Sequence, residues 1–161
     1  MATPTERLAE LGLVLPVVPT PAAAYRPYAV EGDRVLTAGQ LPVRSGALEV
    51  TGRLGAELTT AQGAAEARIA GLNLLAVGAA ALGSLDAVRV VKLTVFVAST
   101  PEFQEHHLVA NGASELLGEV LGEAGVHARS AVGVAALPLG APVEVEAVLA
   151  RVRSSTPAVS G

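Results

Sequence analysis

An arginine at the start of a strand of very small residues is the first candidate for chemistry. The segment RSAVGVAAL begins at Arg129, and strand alternation places Arg129, Ala131, Gly133 and Ala135 on one face. Small side chains leave room for a ligand, and the planar guanidinium can grip a carboxylate with two parallel hydrogen bonds. The alternative is an arginine at a sheet edge that pairs with a surface acid, and the residues alone leave both open.

Two acids on the last strand are the second candidate. In the segment PVEVEAVLARV, every second residue from Val143 is apolar, so Glu144 and Glu146 share the opposite face, about 6.6 Å apart by strand rise. Two carboxylates at the start of a half-buried face could ionise unequally and position a water molecule. A solvent-facing strand end is the plainer interpretation, and these residues alone favour it.

The three histidines, His106, His107 and His127, lack the spacing of a metal site. Consecutive residues on a helix point about 100° apart, so His106 and His107 cannot both chelate from one face, and a structural or solvated role is favoured. The absence of cysteine excludes disulfides, thiolate nucleophiles and cysteine-bound metal. Phosphate-binding glycine loops and the GxSxG elbow are also missing. The sequence implies no metal and no organic cofactor.

Composition narrows the class of protein. The chain has 161 residues, a net charge of −4, two Phe, two Tyr and no Trp. Nucleic-acid binders need a basic surface for phosphates and often aromatic side chains for stacking, so this class is disfavoured. The hydrophobic fraction of 51% suffices for a sizeable core of small aliphatic residues. A domain of this size can bury further apolar surface against copies of itself.

Neither apolar stretch of the chain predicts membrane insertion. The run at 11–15 follows acidic residues and is cut by prolines, unlike a signal peptide. The longest apolar run, 69–82, is shorter than a membrane span and contains Asn73. We therefore expect a soluble protein of the cytoplasm.

Periodicity and punctuation predict the elements that must position these residues. A short helix is expected over 4–12, and a hairpin after it turns at Gly32. Thr59 and Gln62 form a capping-box pattern at the start of a helix that ends at Gly83. The remaining predicted elements are a possible short strand at 48–50, a strand at 88–99, a helix from Pro101 to near Gly122 or Gly125, and strands at 130–137 and 143–152.

This order predicts an α+β fold, one mixed β-sheet with two helices on a single face. Residues 1–21 form an N-terminal helix and Pro-rich connector, 22–152 form the α+β domain, and 153–161 form a tail that we expect to be mobile. Because no third helix is available, another subunit is expected to cover the second face of the sheet.

Four segments between roughly 22 and 152 resemble the Rid family, also called YjgF-like. The family pattern of an arginine before a small-residue strand, then LP, a short turn and an acidic V-E-V-E strand is similar to HARSAVGVAALPLGAPVEVEAVL. The family's [ST]-G-Q segment resembles TAGQLPV, and its central strand resembles VVKLTVFVAS. Its second helix, with an embedded asparagine, is similar to PEFQEHHLVANGASELLGEV.

The resemblance implies a chorismate-mutase-like fold, a homotrimer, and ligand clefts between subunits. It implies that Arg129 binds the substrate carboxylate and Glu144 holds the attacking water. The residues that would line the cleft are Tyr25, Ala38, Gly39, Asn111 and Ala131. The implied activity is hydrolysis of reactive enamine or 2-imino acid intermediates to 2-oxo acids and ammonia without a cofactor. The alternative is a non-catalytic trimer of the same fold that senses small carboxylates.

This sequence departs from the family pattern at two cleft positions. Ala38 stands where the best-known members carry Ser, and Ala131 stands where many carry Cys. A geometric condition also applies. If the last two strands paired as a hairpin, Arg129 and Glu144 would lie about 20 Å apart by strand rise. One site therefore requires that these strands do not pair, or that different subunits contribute. Some relatives are named endoribonucleases, but the acidic net charge disfavours this activity.

Overall fold

The structure, a computed structural model, describes residues 1–18 and 24–152. Three helices and seven strands lie along these ranges. They are α1 (Pro4–Glu10), β1 (Tyr28–Glu31), β2 (Arg34–Thr37), β3 (Val43–Arg44), β4 (Ala47–Leu48), α2 (Thr60–Leu82), β5 (Val88–Ala98), α3 (His106–Leu121), β6 (Ala128–Val134) and β7 (Val143–Arg151). Short 3₁₀ turns lie at Leu85–Ala87, Gly122–Gly125 and Pro138–Gly140.

Five strands form one mixed sheet in the order β1-β2-β7-β5-β6, and β3 pairs with β4 in a separate ribbon. The pair β5–β6 is parallel, and the other pairs of the main sheet are antiparallel. The two long helices, α2 and α3, pack on one face of this sheet, which confirms the predicted α+β class.

The predicted cap of α2 is confirmed, and α1 begins with a cap of the same kind. Thr3 caps α1, and its backbone amide is bonded in turn by Glu6. Thr59 and Gln62 form the same reciprocal pair at α2, which ends at Gly83 in the left-handed region with φ 82°. Each box satisfies amide groups of the first turn that have no partner inside the helix.

The predicted start of α3 at Pro101 is wrong, because the helix begins at His106. The chain between β5 and α3 is held instead in a turn against a neighbouring loop. The amide of Thr100 donates to the carbonyl of Leu54 at 3.0 Å, and the amide of Phe103 donates to the carbonyl of Thr100 at 3.2 Å. The helix therefore begins only at His106, beyond the residues that these two hydrogen bonds hold in the turn. Its predicted end near Gly122 is confirmed.

The core lies between the sheet and the two long helices. Its largest fully buried side chains include Leu74 and Leu75 of α2, Leu116 and Leu117 of α3, and Leu93 of β5. The two helices approach closely at Gly112, where a Cβ atom would lie 1.9 Å from the carbonyl oxygen of Ala64. Small residues thus replace the missing aromatic side chains by allowing backbones to come near each other.

Helix α1 packs on the domain. The carboxylate of Asp86 accepts hydrogen bonds from the amide and hydroxyl of Thr5, both at 2.9 Å. Arg7 Nε donates to the carbonyl of Val120 at 2.8 Å, and Leu8 is buried. Residues 19–21 of the predicted connector, residues 22 and 23 of the predicted domain, and the predicted tail, 153–161, lie outside the described residues.

Helix α2 is long and apolar enough to cross a membrane by length and composition alone, and it is longer than the run at 69–82. Half of its most apolar window is buried inside the domain, where α2 packs in the helix layer. We interpret α2 as a core helix on this ground.

The other face of the sheet carries half-buried side chains of mixed character. Lys92, Thr94 and Phe96 of β5 alternate with buried core residues, and Glu144 and Glu146 lie across from them on β7. We call this surface the open face. Its cover by another subunit stays a prediction.

Candidate functional site

A bulge between β2 and β7 shapes the first part of the site. Leu36 pairs with Val148, and the next contact along the two chains is the bridge between Gln40 and Val145. Three residues, 37–39, therefore stand opposite two. An extra residue of this kind bends its strand and redirects side chains, and it is common beside functional sites.

The bulge brings Gly39 directly against Glu144. A Cβ atom at Gly39 would lie 1.9 Å from Glu144 Oε1, so any side chain here would displace the carboxylate. The bulge is fixed by Thr37, whose buried hydroxyl accepts a hydrogen bond from the amide of Ala147 at 2.9 Å. The segments TAGQ and VEVE thus meet through space.

Glu144 is electrostatically unusual among the acids. Burial raises the pKa of its carboxyl group above the ordinary value, and the neighbouring charge of Glu146 raises it further. Among the described residues, no basic side chain forms an ion pair with Glu144. Its carboxylate can therefore take up and release a proton closer to neutral pH than an exposed glutamate can.

Ala38 precedes Gly39 in the bulge. It lines a surface cavity of about 1090 Å³ together with Tyr25, Tyr28 and Thr37. Tyr25 and Gly39 also line a second cavity of about 570 Å³. Four of the predicted residues are thus linked through Gly39, and we call them the Glu144 group: Tyr25, Ala38, Gly39 and Glu144.

Arg129 lies in a different group, against helix α3. Its Nη1 donates to Asn111 Oδ1 at 2.9 Å and to Ser114 Oγ at 3.1 Å, and its Nη2 donates to the carbonyl of His107 at 3.2 Å. Residues 107, 111 and 114 share one face of the helix. None of the three partners is acidic, and no ion pair within the described ranges involves Arg129. We call Arg129, Asn111 and Ser114 the Arg129 group.

These bonds leave one edge of the guanidinium free. Nη1 donates to two acceptors and Nη2 to one. Nε–H has no partner among the described residues, and Nη2 carries a second N–H, so Nε and Nη2 can offer a carboxylate two parallel hydrogen bonds. Ala131 follows on the same face of β6 and adds only a methyl group.

The two groups lie on opposite faces of the sheet. Arg129 pairs with the buried Leu93 and shares its helix-side face, whereas Glu144 pairs with Phe96 on the open face. Strand β5 separates β6 from β7, so the hairpin considered above does not form. One chain therefore does not bring Arg129 and Glu144 into one site.

Two of the histidines make contacts that sequence reasoning did not predict. His127 Nε2 lies 3.0 Å from Ser114 Oγ, which extends the Arg129 group. His106 Nε2 lies 3.0 Å from Ser99 Oγ. The helical spacing of 107, 111 and 114 could have pointed to the partners of Arg129, but it does not point to His127. No group of three or more potential metal ligands occurs in 1–18 and 24–152.

An ion pair that sequence reasoning missed supports the loop after the bulge. Arg44 donates from Nη1 and Nη2 to the two oxygens of Glu66, at 3.0 and 2.8 Å. The side chain of Glu66 is only 5% exposed, and its hydrogen bond raises the pKa of Arg44. Asn73 Nδ2 donates to the carbonyls of Leu41 and Val43. These contacts fasten the loop to α2.

Comparison with known proteins identifies the family. The family model described as YjgF/chorismate_mutase-like, putative endoribonuclease, matches residues 5–149. The chain belongs to the YjgF-like family. The match begins inside α1 and thus includes most of the predicted N-terminal helix and connector of this YjgF-like chain.

Individual relatives agree with this assignment. Protein TCP17 of Trypanosoma cruzi is 50% identical over 144 residues, covering 88% of this chain and 90% of that protein. The crystal structure of a protein of unknown function from Agrobacterium tumefaciens is 48% identical, covers 90% of both chains and has a TM-score of 0.84. RidA from an Antarctic Psychrobacter is 30% identical, covers 83% of this chain and 93% of its own, and has a TM-score of 0.57.

Proposed function

We propose that this YjgF-like protein is a cofactor-independent deaminase that hydrolyses enamine or 2-imino acid intermediates to 2-oxo acids and ammonia. The observation that carries the proposal is the free donor edge of Arg129, which is held by neutral partners and has the shape of a carboxylate site. The half-buried Glu144, with its raised pKa, supplies the acid–base group that the reaction needs.

The proposal requires an assembly, because the two groups lie on opposite faces of one chain. We propose a homotrimer in which the Arg129 group of one subunit meets the Glu144 group of its neighbour. The open face, which is half-buried and bears Phe96, supports this arrangement because it is available for subunit contact. The resemblance to the Rid family implies the same oligomer and the same location of the clefts.

The reaction then needs few groups. Arg129 holds the substrate carboxylate, and Glu144 holds a water molecule against the imine carbon. The water oxygen bonds to the carbon of the protonated imine while Glu144 accepts a proton from the water, which gives a neutral carbinolamine. Glu144 returns this proton to the nitrogen. As the C–N bond breaks and ammonia leaves, the hydroxyl gives its proton to Glu144 and becomes the carbonyl, and Glu144 passes this proton to the departing ammonia. Proton transfer by a positioned side chain contributes roughly 10²–10⁴-fold, and orientation contributes several kcal/mol more.

The proposed ligands are small 2-imino and 2-oxo acids in the cytoplasm, with no nucleic-acid or membrane partner. The family description includes the word endoribonuclease. The net charge of −4 and the scarcity of aromatic side chains disfavour RNA as a substrate.

The pocket composition bears on the side chain of the substrate. Ala38 and Ala131 are smaller and less polar than Ser and Cys, so the cleft loses hydrogen bonds and gains apolar volume. We expect imines with bulky apolar side chains to be hydrolysed faster than the alanine-derived imine. Competition between freshly generated imines checks this expectation, and fastest turnover of the smallest imine would contradict it.

A second candidate function is a carboxylate sensor, since the free edge of Arg129 would bind a carboxylate with or without catalysis. Ammonia release and calorimetric affinity for a stable 2-oxo acid, measured on the same variants, separate the two functions. Arg129→Ala should abolish binding in both. Glu144→Gln should depress turnover strongly while affinity stays near wild type. Glu123→Gln, at an exposed position of the turn after α3, is the matched control for losing one carboxylate. Wild-type protein that binds the acid but never exceeds the buffer rate would leave only the sensor.

A further inference from the structure

We infer that Ser114 and His127 are positioning residues that fix the guanidinium of Arg129 through a directed chain of hydrogen bonds. The inference rests on the proposed function only in taking a carboxylate as the ligand of Arg129. The chain runs from Arg129 Nη1 to Ser114 Oγ at 3.1 Å, from Ser114 Oγ to His127 Nε2 at 3.0 Å, and from His127 Nδ1 to the carbonyl of Gly125.

The direction of this chain follows from its last member. The carbonyl oxygen of Gly125 can only accept, so Nδ1 of His127 carries the ring proton. In the neutral ring, Nε2 is then an acceptor, and the hydroxyl of Ser114 must donate to it. The oxygen of Ser114 is left with its lone pairs for Nη1 of Arg129. His127 thus makes Ser114 an acceptor toward the guanidinium.

The backbone holds the start of the chain in place. A Cβ atom at Gly125 would lie 2.2 Å from the carbonyl oxygen of Leu117. The 3₁₀ turn Gly122–Gly125 therefore packs so closely against α3 that only glycine fits at position 125. The carbonyl that orients His127 therefore belongs to a buried, fixed peptide. Helix α3 provides Ser114, and the short segment between the turn and β6 provides His127, so the two meet only in the folded protein.

This chain of hydrogen bonds fixes the direction in which the free donor edge of Arg129 points. Nη1 is held by Ser114 and Asn111 together, and rotation of the guanidinium about its Nε–Cζ bond would break both hydrogen bonds. While they last, Nε and the second proton of Nη2 point in one direction. Without His127, the hydroxyl of Ser114 can turn toward other acceptors and stops holding Nη1. The sequence marks none of this, because His127 lies beyond the helix that bears Ser114.

The test has two readouts on the purified full chain. The first is nitrogen-15 NMR of the Arg129 guanidinium in the absence of ligand, which reports rotation about Nε–Cζ. The second is calorimetric affinity for 4-methyl-2-oxopentanoate, a stable 2-oxo acid. The variants are Ser114→Ala, His127→Phe, both together, and His127→Gln, whose amide oxygen can replace Nε2 as acceptor. His106→Phe is the matched control, because it removes a serine–histidine bond of equal length that does not contact Arg129.

We expect slow guanidinium rotation in the wild type and faster rotation in Ser114→Ala and His127→Phe. Affinity should fall roughly tenfold in each, as for loss of a hydrogen bond to a charged group. The double variant should be no worse than Ser114→Ala, because His127 acts through Ser114. His127→Gln should restore most of the affinity, and the control should change neither readout.

The outcomes separate this inference from the proposed function. Unchanged rotation and affinity in Ser114→Ala, or additive losses in the double variant, would overturn the inference. If wild-type protein does not bind the 2-oxo acid but rotation responds as expected, the positioning role stands and the proposed function fails. A thermal melt of each variant excludes global unfolding as the cause of a loss.

Discussion

At the residue scale, the contact between Gly39 and the carboxylate of Glu144 imposes the strictest steric constraint on the site. Sequence comparison with a family could name both residues, but only the bulge explains why one must be glycine. The position has no positive φ requirement. The constraint is space, because the carboxylate occupies the volume that a Cβ would fill.

Gly39→Ala should therefore depress imine hydrolysis by displacing Glu144, with a modest loss of stability because Glu144 is only half-buried. Gly118→Ala is the matched control, since a Cβ at this exposed position of α3 meets nothing within 4 Å. The control should keep its activity and gain up to about 1 kcal/mol of helix stability. Turnover and thermal unfolding of both variants check this, and full activity in Gly39→Ala would contradict the geometry.

The raised pKa of Glu144 makes a second prediction, on stability against pH. An acid whose pKa is higher in the folded state disfavours its own ionised form there. It has no cost below its unfolded pKa, and it destabilises the fold increasingly as pH rises through the raised pKa. Glu144→Gln should therefore gain stability relative to wild type between pH 4 and pH 7. Urea unfolding at both pH values measures it, with Glu123→Gln as a control for losing one charge. A relative loss of stability over this range would contradict the assignment.

At the element scale, the sequence was most informative where one local signal decides the structure. The capping box at Thr59 and the stop at Gly83 need no tertiary information, and both were predicted. The start of α3 was not. Proline at the first position of a helix is a common signal, but here the bonds of Thr100 to a distant loop take precedence over it.

The pairing of the last strands shows the same limit. Alternation correctly assigned the faces of Arg129 and Glu144 within their own strands. It could not show that β5 lies between those strands, because strand order depends on the packing of α3 as a crossover. The ion pair of Arg44 with Glu66 was also invisible, since the two residues are 22 positions apart and belong to different elements.

Removing this ion pair supplies the prediction at the element scale. Arg44→Ala leaves the carboxylate of Glu66 buried without its partner, so we expect a loss of about 3 kcal/mol in the free energy of unfolding. Arg68→Ala breaks an exposed pair with Glu119 and should lose less than about 1 kcal/mol. Denaturant unfolding compares the two. Equal losses would show that the loop after Gly39 is not held by Arg44.

At the scale of the whole molecule, the question is how the Arg129 group and the Glu144 group form one site. They occupy opposite faces of the sheet, so the proposed activity depends on contact between subunits. Light scattering should give about three times the chain mass of 16.1 kDa. A monomer at micromolar concentration would remove the basis for a shared site.

Mixing two inactive variants tests most directly whether the site is shared between subunits. Arg129→Ala and Glu144→Gln are unfolded together in equal amounts, refolded, and tested for ammonia release from a 2-imino acid. If each site takes Arg129 from one subunit and Glu144 from the next, about one quarter of the sites in randomly assembled trimers should have both residues intact. We predict activity near a quarter of that of wild-type protein refolded in the same way, and none when either variant is refolded alone. Wild-type activity without any recovery in the mixture would contradict a site shared between subunits.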